Sequence, residues 1–370
     1  MVEELLYLAP TSGAGGYEVH SRGVLRELYR SGILIQHVCL PFDGRPVKKT
    51  AEMTKILEET QKNKVSPFAP ALWLTLPSNV KYIPGRSMIN FAAWEADRIC
   101  PEWVMAGRAS DLTIVPTKFL KQVWIDSGVP EDKVEAVPEG TDLSIFNSAI
   151  EPLPLRYRDK PLIDTFQYRF LSVLQLSNRK NVRNLIVSFI KAFENRKDVC
   201  LILKVSYMDR EKDLDYYIGD LDLSKHNIFV CDQMLPENMM GALLANATHY
   251  YTLSCGEGWD LSCVDAGAMG KVIVAPFHTA YTEYLNDDRA YLIKDNKRAE
   301  AVQNNVLDTL FKGSFWFVPN GEEAVEVLRE SVKDESKYRQ KAKNFSSYIK
   351  ENLTWEKSGE KLMEVLHGRF

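Results

Sequence analysis

The sequence predicts an α/β protein made of two successive doubly wound, Rossmann-like units, each a parallel sheet flanked by helices. Three observations predict it. Short apolar runs alternate with amphipathic stretches along most of the chain. The alternation stops once, near the middle, and then restarts. The 370 residues also exceed the roughly 250–300 that one core supports.

In the first unit, LLYLA (5–9), ILIQHVCL (33–40), ALWLTL (71–76), MINFAAW (88–94), LTIVP (112–116) and VEAVP (134–138) read as strands, because β-branched and aromatic residues cluster in short runs closed by turn residues. EVHSRGVLRELYRSG (18–32) reads as a helix: Val19, Val24, Leu25 and Leu28 share one face and Gly32 follows its end. Strand, helix, strand is most economically a parallel sheet. FNSAIEPLPLRYRDKP (146–161) carries three prolines and no apolar period, which makes it the linker. The expected boundary therefore separates 1–150 from 151 onward.

After the linker the pattern resumes with RFLSVLQL (169–176), a helix over 182–195, VCLILKVS (199–206), NIFVC (227–231), a helix over 237–247 and HYYTLS (249–254). KVIVAP (271–276), AYLI (290–293) and FWFVP (315–319) follow as strands, and the chain beyond Glu322 reads as charged helix. Two such units enclose a cleft, and ligands of these folds bind beyond the carboxyl ends of the strands.

Composition narrows the functional classes. A net charge of −4 offers no basic field for nucleic acid. Six scattered cysteines, mostly inside apolar runs and without a C-x-x-C pair, read as reduced, buried thiols of a cytoplasmic protein. The start, MVEELLYLAP, has acids where a signal peptide needs positive charge. No run approaches the ~18 apolar residues of a membrane helix. Cys255, Cys263, His249 and His278 lack the spacing of a metal set, so no metal is expected. Arg22, Arg26 and Arg30 form a stripe on the first helix that is either a solvated face or a peripheral contact with an anionic membrane.

Three loops after strands carry chemistry. In PTSGAGGYEVHSRG (10–23), Gly15 and Gly16 let backbone approach a ligand at a helix N-terminus. That loop, with Asp43 at the end of the next strand, keeps an NAD-dependent dehydrogenase open as a remote alternative, although the spacing is not G-x-G-x-x-G. In LSNRKNVRN (176–184), Arg179 and Lys180 stand at a helix start, where the macrodipole disfavours cations and a bound anion would satisfy both. In CGEGWDLSCVDAGAMG (255–270), Glu257 lies in the turn and Asp265 in an otherwise apolar helix, both suited to accepting from hydroxyls. The turn amides around Trp259, Asp260 and Leu261 suit a phosphate.

GEGWDLSCVDAGAMGKVIVA resembles the second-domain signature of the retaining GT-B glycosyltransferases of family four, roughly G-E-G-x-G-x-P-x-x-E-A-x-A-x-G-x-P-V-I-A. FLSVLQLSNRKNVRNLIVSFIKAF resembles the family's donor-phosphate strand and helix, 110–146 the end of its acceptor domain, and TWEKSGEKLMEVL (354–366) its closing helix. The resemblance implies the GT-B fold. An acceptor domain of 1–150, rejoined by a helix near 350–370, would face a donor domain of 151–349 across a cleft. It implies transfer of a sugar from a nucleoside-diphosphate sugar, UDP- or GDP-linked, to an acceptor hydroxyl of unknown identity, with retention and without metal or other cofactor. Glu257 would bind the sugar, Asp265 the ribose, Lys180 the diphosphate, and Gly15 and Gly16 the phosphate from the opposite domain. Glu95, in WEAD (94–97), takes the place of a histidine that touches the sugar in many relatives; a surface acid at a strand end is the other reading.

The departures are specific. Gln175 stands where the family has a donor arginine, so Arg179 is expected to supply the missing cation. Ser262 replaces a proline. Asp260 replaces a small residue, and a carboxylate there would repel a diphosphate by about 4 kcal/mol for unit charges roughly 4 Å apart at an effective dielectric of ~20. The side chain is expected to turn away and cap the helix, or the chain is a catalytically silent GT-B subunit that acts in binding or assembly.

Overall fold

The computed structural model describes residues 2–42, 46–207, 212–303 and 307–370. The first sheet contains β1 (Glu4–Ala9), β2 (Leu34–Cys39), β3 (Ala71–Leu74), β4 (Met88–Phe91), β5 (Leu112–Val115) and β6 (Val134–Ala136). They run parallel in the order β2-β1-β3-β4-β5-β6. Every residue of β3, β4 and β5 is buried, as strands covered on both faces require. The helices Gly16–Arg30, Ala51–Lys62, Pro101–Ala109 and Lys118–Asp126 connect the strands.

A two-residue hairpin, β7 (Arg156–Tyr157) with β8 (Lys160–Pro161), lies in the expected linker. The second sheet contains β9 (Tyr168–Leu176), β10 (Val199–Tyr207), β11 (Ile228–Cys231), β12 (His249–Tyr251), β13 (Val272–Pro276) and β14 (Tyr291–Ile293). It is also parallel, in the order β11-β10-β9-β12-β13-β14. In both sheets the strand order reverses once, beside β1 and beside β9, and a switch point of this kind opens a crevice at the carboxyl ends. FWFVP is a strand as expected, β16 (Phe315–Pro319), but it pairs antiparallel with β15 (Asn296–Glu300) outside the main sheet. β15 is polar and largely exposed, so no apolar alternation announced it.

The last helix, Trp355–Arg369, returns to the first half. Trp355, Leu362 and Leu366 join the apolar core of β1, β3, β4 and the helix Gly16–Arg30. The crossing is close-fitted: a Cβ on Gly23 would lie 2.4 Å from the Trp355 indole, and one on Gly140 2.4 Å from the Trp355 amide nitrogen. Backbone bonds Thr141 N–H to Leu353 O and Trp355 N–H to Thr141 O, 3.0 and 3.3 Å, complete it. All six cysteines are free thiols, but Cys39 is exposed and Cys231 half-buried, which corrects the expectation of buried thiols at those two. Among the described residues no helix is long and apolar enough to cross a membrane.

Candidate active site

The turn Asn178–Lys180 follows β9, and CGEGWD follows β12, so the switch point of the second sheet brings the bases and the acid together. Arg179 Nη1 lies 2.8 Å from Glu257 Oε2, and Lys180 Nζ lies 2.5 Å from Glu257 Oε1. Arg179 also donates to Gly256 O at 2.7 Å, and its carbonyl accepts from Cys255 N at 2.8 Å, so the two turns are stitched through backbone as well as charge. Glu257 N–H donates to Thr279 Oγ1 at 3.1 Å. From the first half, Glu95 Oε1 approaches Arg179 Nη2 to 3.7 Å.

Arg179 and Glu257 are buried, Lys180 and Glu95 half-buried, and their charges set one another. Burial alone would raise the Glu257 carboxyl, but the Arg179 and Lys180 cations outweigh it and hold it at about 2. Burial pushes Glu95 up, Arg179 pulls it down and Glu257 raises it again, leaving it above its ordinary value. Two cations at a helix start that disfavours positive charge were expected to seek an anion; in the structure Glu257 supplies one.

Asp260 adopts left-handed backbone, φ 69°, and caps the helix Leu261–Ala268 by accepting from Cys263 N at 3.2 Å. Tyr281 Oη donates to its Oδ2 at 2.8 Å and Tyr250 Oη to its Oδ1 at 3.3 Å. The capping alternative is therefore the observed one. The helix end expected to offer free amides to a phosphate is already filled by a carboxylate. Trp259 is buried against Tyr284, whose hydroxyl donates to the Trp259 carbonyl at 2.5 Å. Leu261 packs against the apolar cores of both halves. Gln175 sits half-buried on β9 opposite Ser206 of β10.

Asp265 faces the first half, where Thr141 Oγ1 donates to its Oδ1 at 2.6 Å. Burial raises its pKa well above the carboxylate range, with Glu237, Asp260 and Asp142 adding to it. Glu139 is raised in the same way by burial and then by Asp265. His20, 3.4 Å from Glu139, is held at about 3 by burial and rests against Trp355 and Phe91. Glu139 and Thr141 come from the P-E-G-T-D run after β6, and no spacing in the sequence linked them to Asp265.

The glycine loop is closed from within. Glu18 accepts from Gly13 N at 2.7 Å and from Gly15 N at 2.9 Å. The Gly15 amide, expected to meet a phosphate, is thus bonded to Glu18 in the structure. Gly16 lies in the open, with nothing within 4 Å of the position of a Cβ. The acid three residues after Gly15 was a readable capping signal. Arg22 donates to the carbonyls of Thr11 and Gly13 and to Glu237 of the second half, and Arg26 pairs with Asp142. Arg30, at the exposed end of the stripe, pairs with Glu27 and Glu52, so each of the three arginines has a carboxylate partner. Asp43 lies outside the described residues. Among the described residues no group of three or more His, Cys, Asp or Glu gathers to hold a metal ion.

The opposed acids predict a two-sided pH profile. Glu139, Asp260 and Asp265 have folded pKa values above their unfolded ones, so they favour the fold at low pH and that stability is lost as pH rises past the carboxylate range. Glu257, held at about 2, contributes above its unfolded value and loses this as pH falls toward 2. Tm is expected to be higher near pH 5 than at pH 8, and Asp265→Asn to flatten that slope. An unchanged slope in Asp265→Asn would contradict the assignment.

No protein-family model and no curated protein sequence matches the chain. Solved structures match it along its length. Anabaena HepE in complex with UDP and glucose superposes with a TM-score of 0.66 at 13% identity, covering 99% of this chain and 100% of that one. A sucrose-phosphate synthase from Thermosynechococcus elongatus gives 0.66 at 12%, covering 99% and 98%. A glycosyltransferase from Rickettsia africae gives 0.62 at 13%, covering 98% and 97%. At such identities the likeness establishes the architecture: two parallel six-stranded sheets with helices in the GT-B arrangement.

Proposed function

We propose that the chain is a retaining glycosyltransferase that takes its sugar from a nucleoside-diphosphate donor, with residues 1–150 and the closing helix near 350–370 as acceptor domain and 151–349 as donor domain. The observation that carries this reading is the convergence of Arg179 and Lys180 on Glu257 at the β9/β12 switch point, with Glu95 facing them from the other sheet. A donor diphosphate replaces Glu257 as the counter-ion of both cations. Glu257, released, accepts hydrogen bonds from the sugar. The same cations then stabilise the leaving diphosphate, which is the main electrostatic demand of the reaction. The leaving phosphate helps deprotonate the acceptor hydroxyl on the same face, which gives retention, and the bases stand in for a metal. Asp265 exchanges Thr141 for a ribose hydroxyl. HepE holds UDP, and in a second structure UDP-glucose, which supports a uridine-linked donor here. The reading places the protein in the cytoplasm.

A second reading, a catalytically silent subunit of the same fold, is favoured by one observation. A Cβ on Gly256 would lie 2.0 Å from Glu95 O, and one on Gly258 3.0 Å from Ala93 Cβ, so the turn is pressed against the opposite half where a sugar would sit. A panel of nucleotide sugars separates the two. On the transferase reading one UDP- or GDP-sugar raises Tm and supports transfer, and Lys180→Ala lowers donor affinity tenfold or more, since it removes a charge-assisted contact worth about 1.5–3 kcal/mol. Nucleotide binding without turnover for any donor would leave the silent subunit.

A further inference from the structure

A cavity of about 380 Å³ opens between the two halves, bounded by the helix Gly16–Arg30, residues 48–53, residues 142–145, the N-terminus of the helix Glu237–Ala245 and Trp355. That volume lies at the lower end of the roughly 300–1,000 Å³ of small-molecule sites. It has room for one sugar ring with a phosphate, but is short for a nucleotide and a sugar together.

The walls are chemically divided. Arg22 and Arg26 line the cavity with their charges already answered by Glu237 and Asp142. Lys48 and Lys49 line it too, and among the described residues neither has a carboxylate partner. The Lys49 ammonium donates only to the carbonyls of Ser12 and Val47. Burial, and then the neighbouring Arg22 guanidinium, hold that ammonium below its ordinary value, only partly offset by the more distant Glu18 and Glu237 carboxylates, so an anion in direct contact would favour its charged form. Three acids line the cavity: Glu52, which is paired with Arg30, and Glu237 and Asp142, which can act as hydroxyl acceptors; Trp355 supplies an apolar surface.

We propose that this cavity binds a phosphate monoester of a sugar or similar polyol, Lys48 and Lys49 taking the phosphate while Asp142 and Glu237 hold hydroxyls. Because the walls come from both halves, the ligand ties them together. The lining contains none of Arg179, Lys180 and Glu257, although its acids Glu237 and Asp142 act on Asp265, the residue assigned above to the donor ribose.

The test is calorimetric titration of the full chain with glucose 6-phosphate, glucose and inorganic phosphate. Glucose 6-phosphate is expected to bind at least tenfold more tightly than either of the others. Affinity is expected to fall tenfold or more in Lys48→Ala/Lys49→Ala and to persist in Lys180→Ala, which disables the donor cluster. No binding, equal affinity for inorganic phosphate, or full affinity in the double lysine variant would each overturn the proposal. Loss in Lys180→Ala would overturn it as well, by placing the ligand at the donor cluster.

Discussion

Glu257→Ala is expected to cost about 3–5 kcal/mol of stability, the usual penalty for removing one partner of a buried ion pair, and to abolish any sugar transfer. The carboxylate it removes answers two cations at once, Arg179 at 2.8 Å and Lys180 at 2.5 Å, with side chains only 10% and 14% exposed. Against total stabilities of about 5–15 kcal/mol, such a loss is a large fraction of the whole. Denaturant unfolding of the variant measures it. UDP or pyrophosphate, supplying the missing anion, is expected to restore Tm more in Glu257→Ala than in the parent chain. A variant as stable as the parent would mean that the two cations are hydrated, contrary to their burial. Glu257→Gln, which keeps a hydrogen-bonding side chain, should lie between.

Gly256→Ala is the second large effect, and its cause is steric. Gly256 carries no positive φ, so its backbone has no need of glycine. What it needs is the space, because the added Cβ would meet the Glu95 carbonyl oxygen at 2.0 Å and its carbon at 3.1 Å, both backbone atoms. Overpacking of this kind costs about 1–3 kcal/mol or more, and it is relieved only if the two halves separate at the cleft. Tm is expected to fall and the radius of gyration in solution scattering to rise. Gly16→Ala is the control: the position is open and not left-handed, so the substitution should be neutral or stabilise by about 0.4–1 kcal/mol. Equal effects in the two variants would show that the turn is not wedged against the first half.

The strands were legible because their information is local. Runs such as LLYLA and KVIVAP are short, apolar and bounded by turn residues, and they appear as β1 and β13 within a residue of the expected ends. β15 was not legible, since NKRAE owes its conformation to pairing with β16 rather than to any pattern of its own. The same division runs through the site. Arg179, Lys180 and Glu257 could be picked out one by one, as bases against a helix dipole and an acid in a glycine-flanked turn. Their partnership could not, because Lys180 and Glu257 lie 77 residues apart and meet only through the strand order of the second sheet.

By itself the sequence determined the two α/β units, the order of the strands in their main sheets along the chain and the three loops proposed to carry chemistry, all of which follow from periodicity, turn residues and helix-end preferences. The tertiary structure alone decided which charges answer one another: that Glu257 neutralises Arg179 and Lys180, that Asp260 seals a helix end under Tyr281 and Tyr250, that Asp265 meets Thr141, and that Glu18 closes the glycine loop on Gly15. The physical reason is that the strength of a charge depends on its burial and its neighbours, and both exist only once distant segments have packed together.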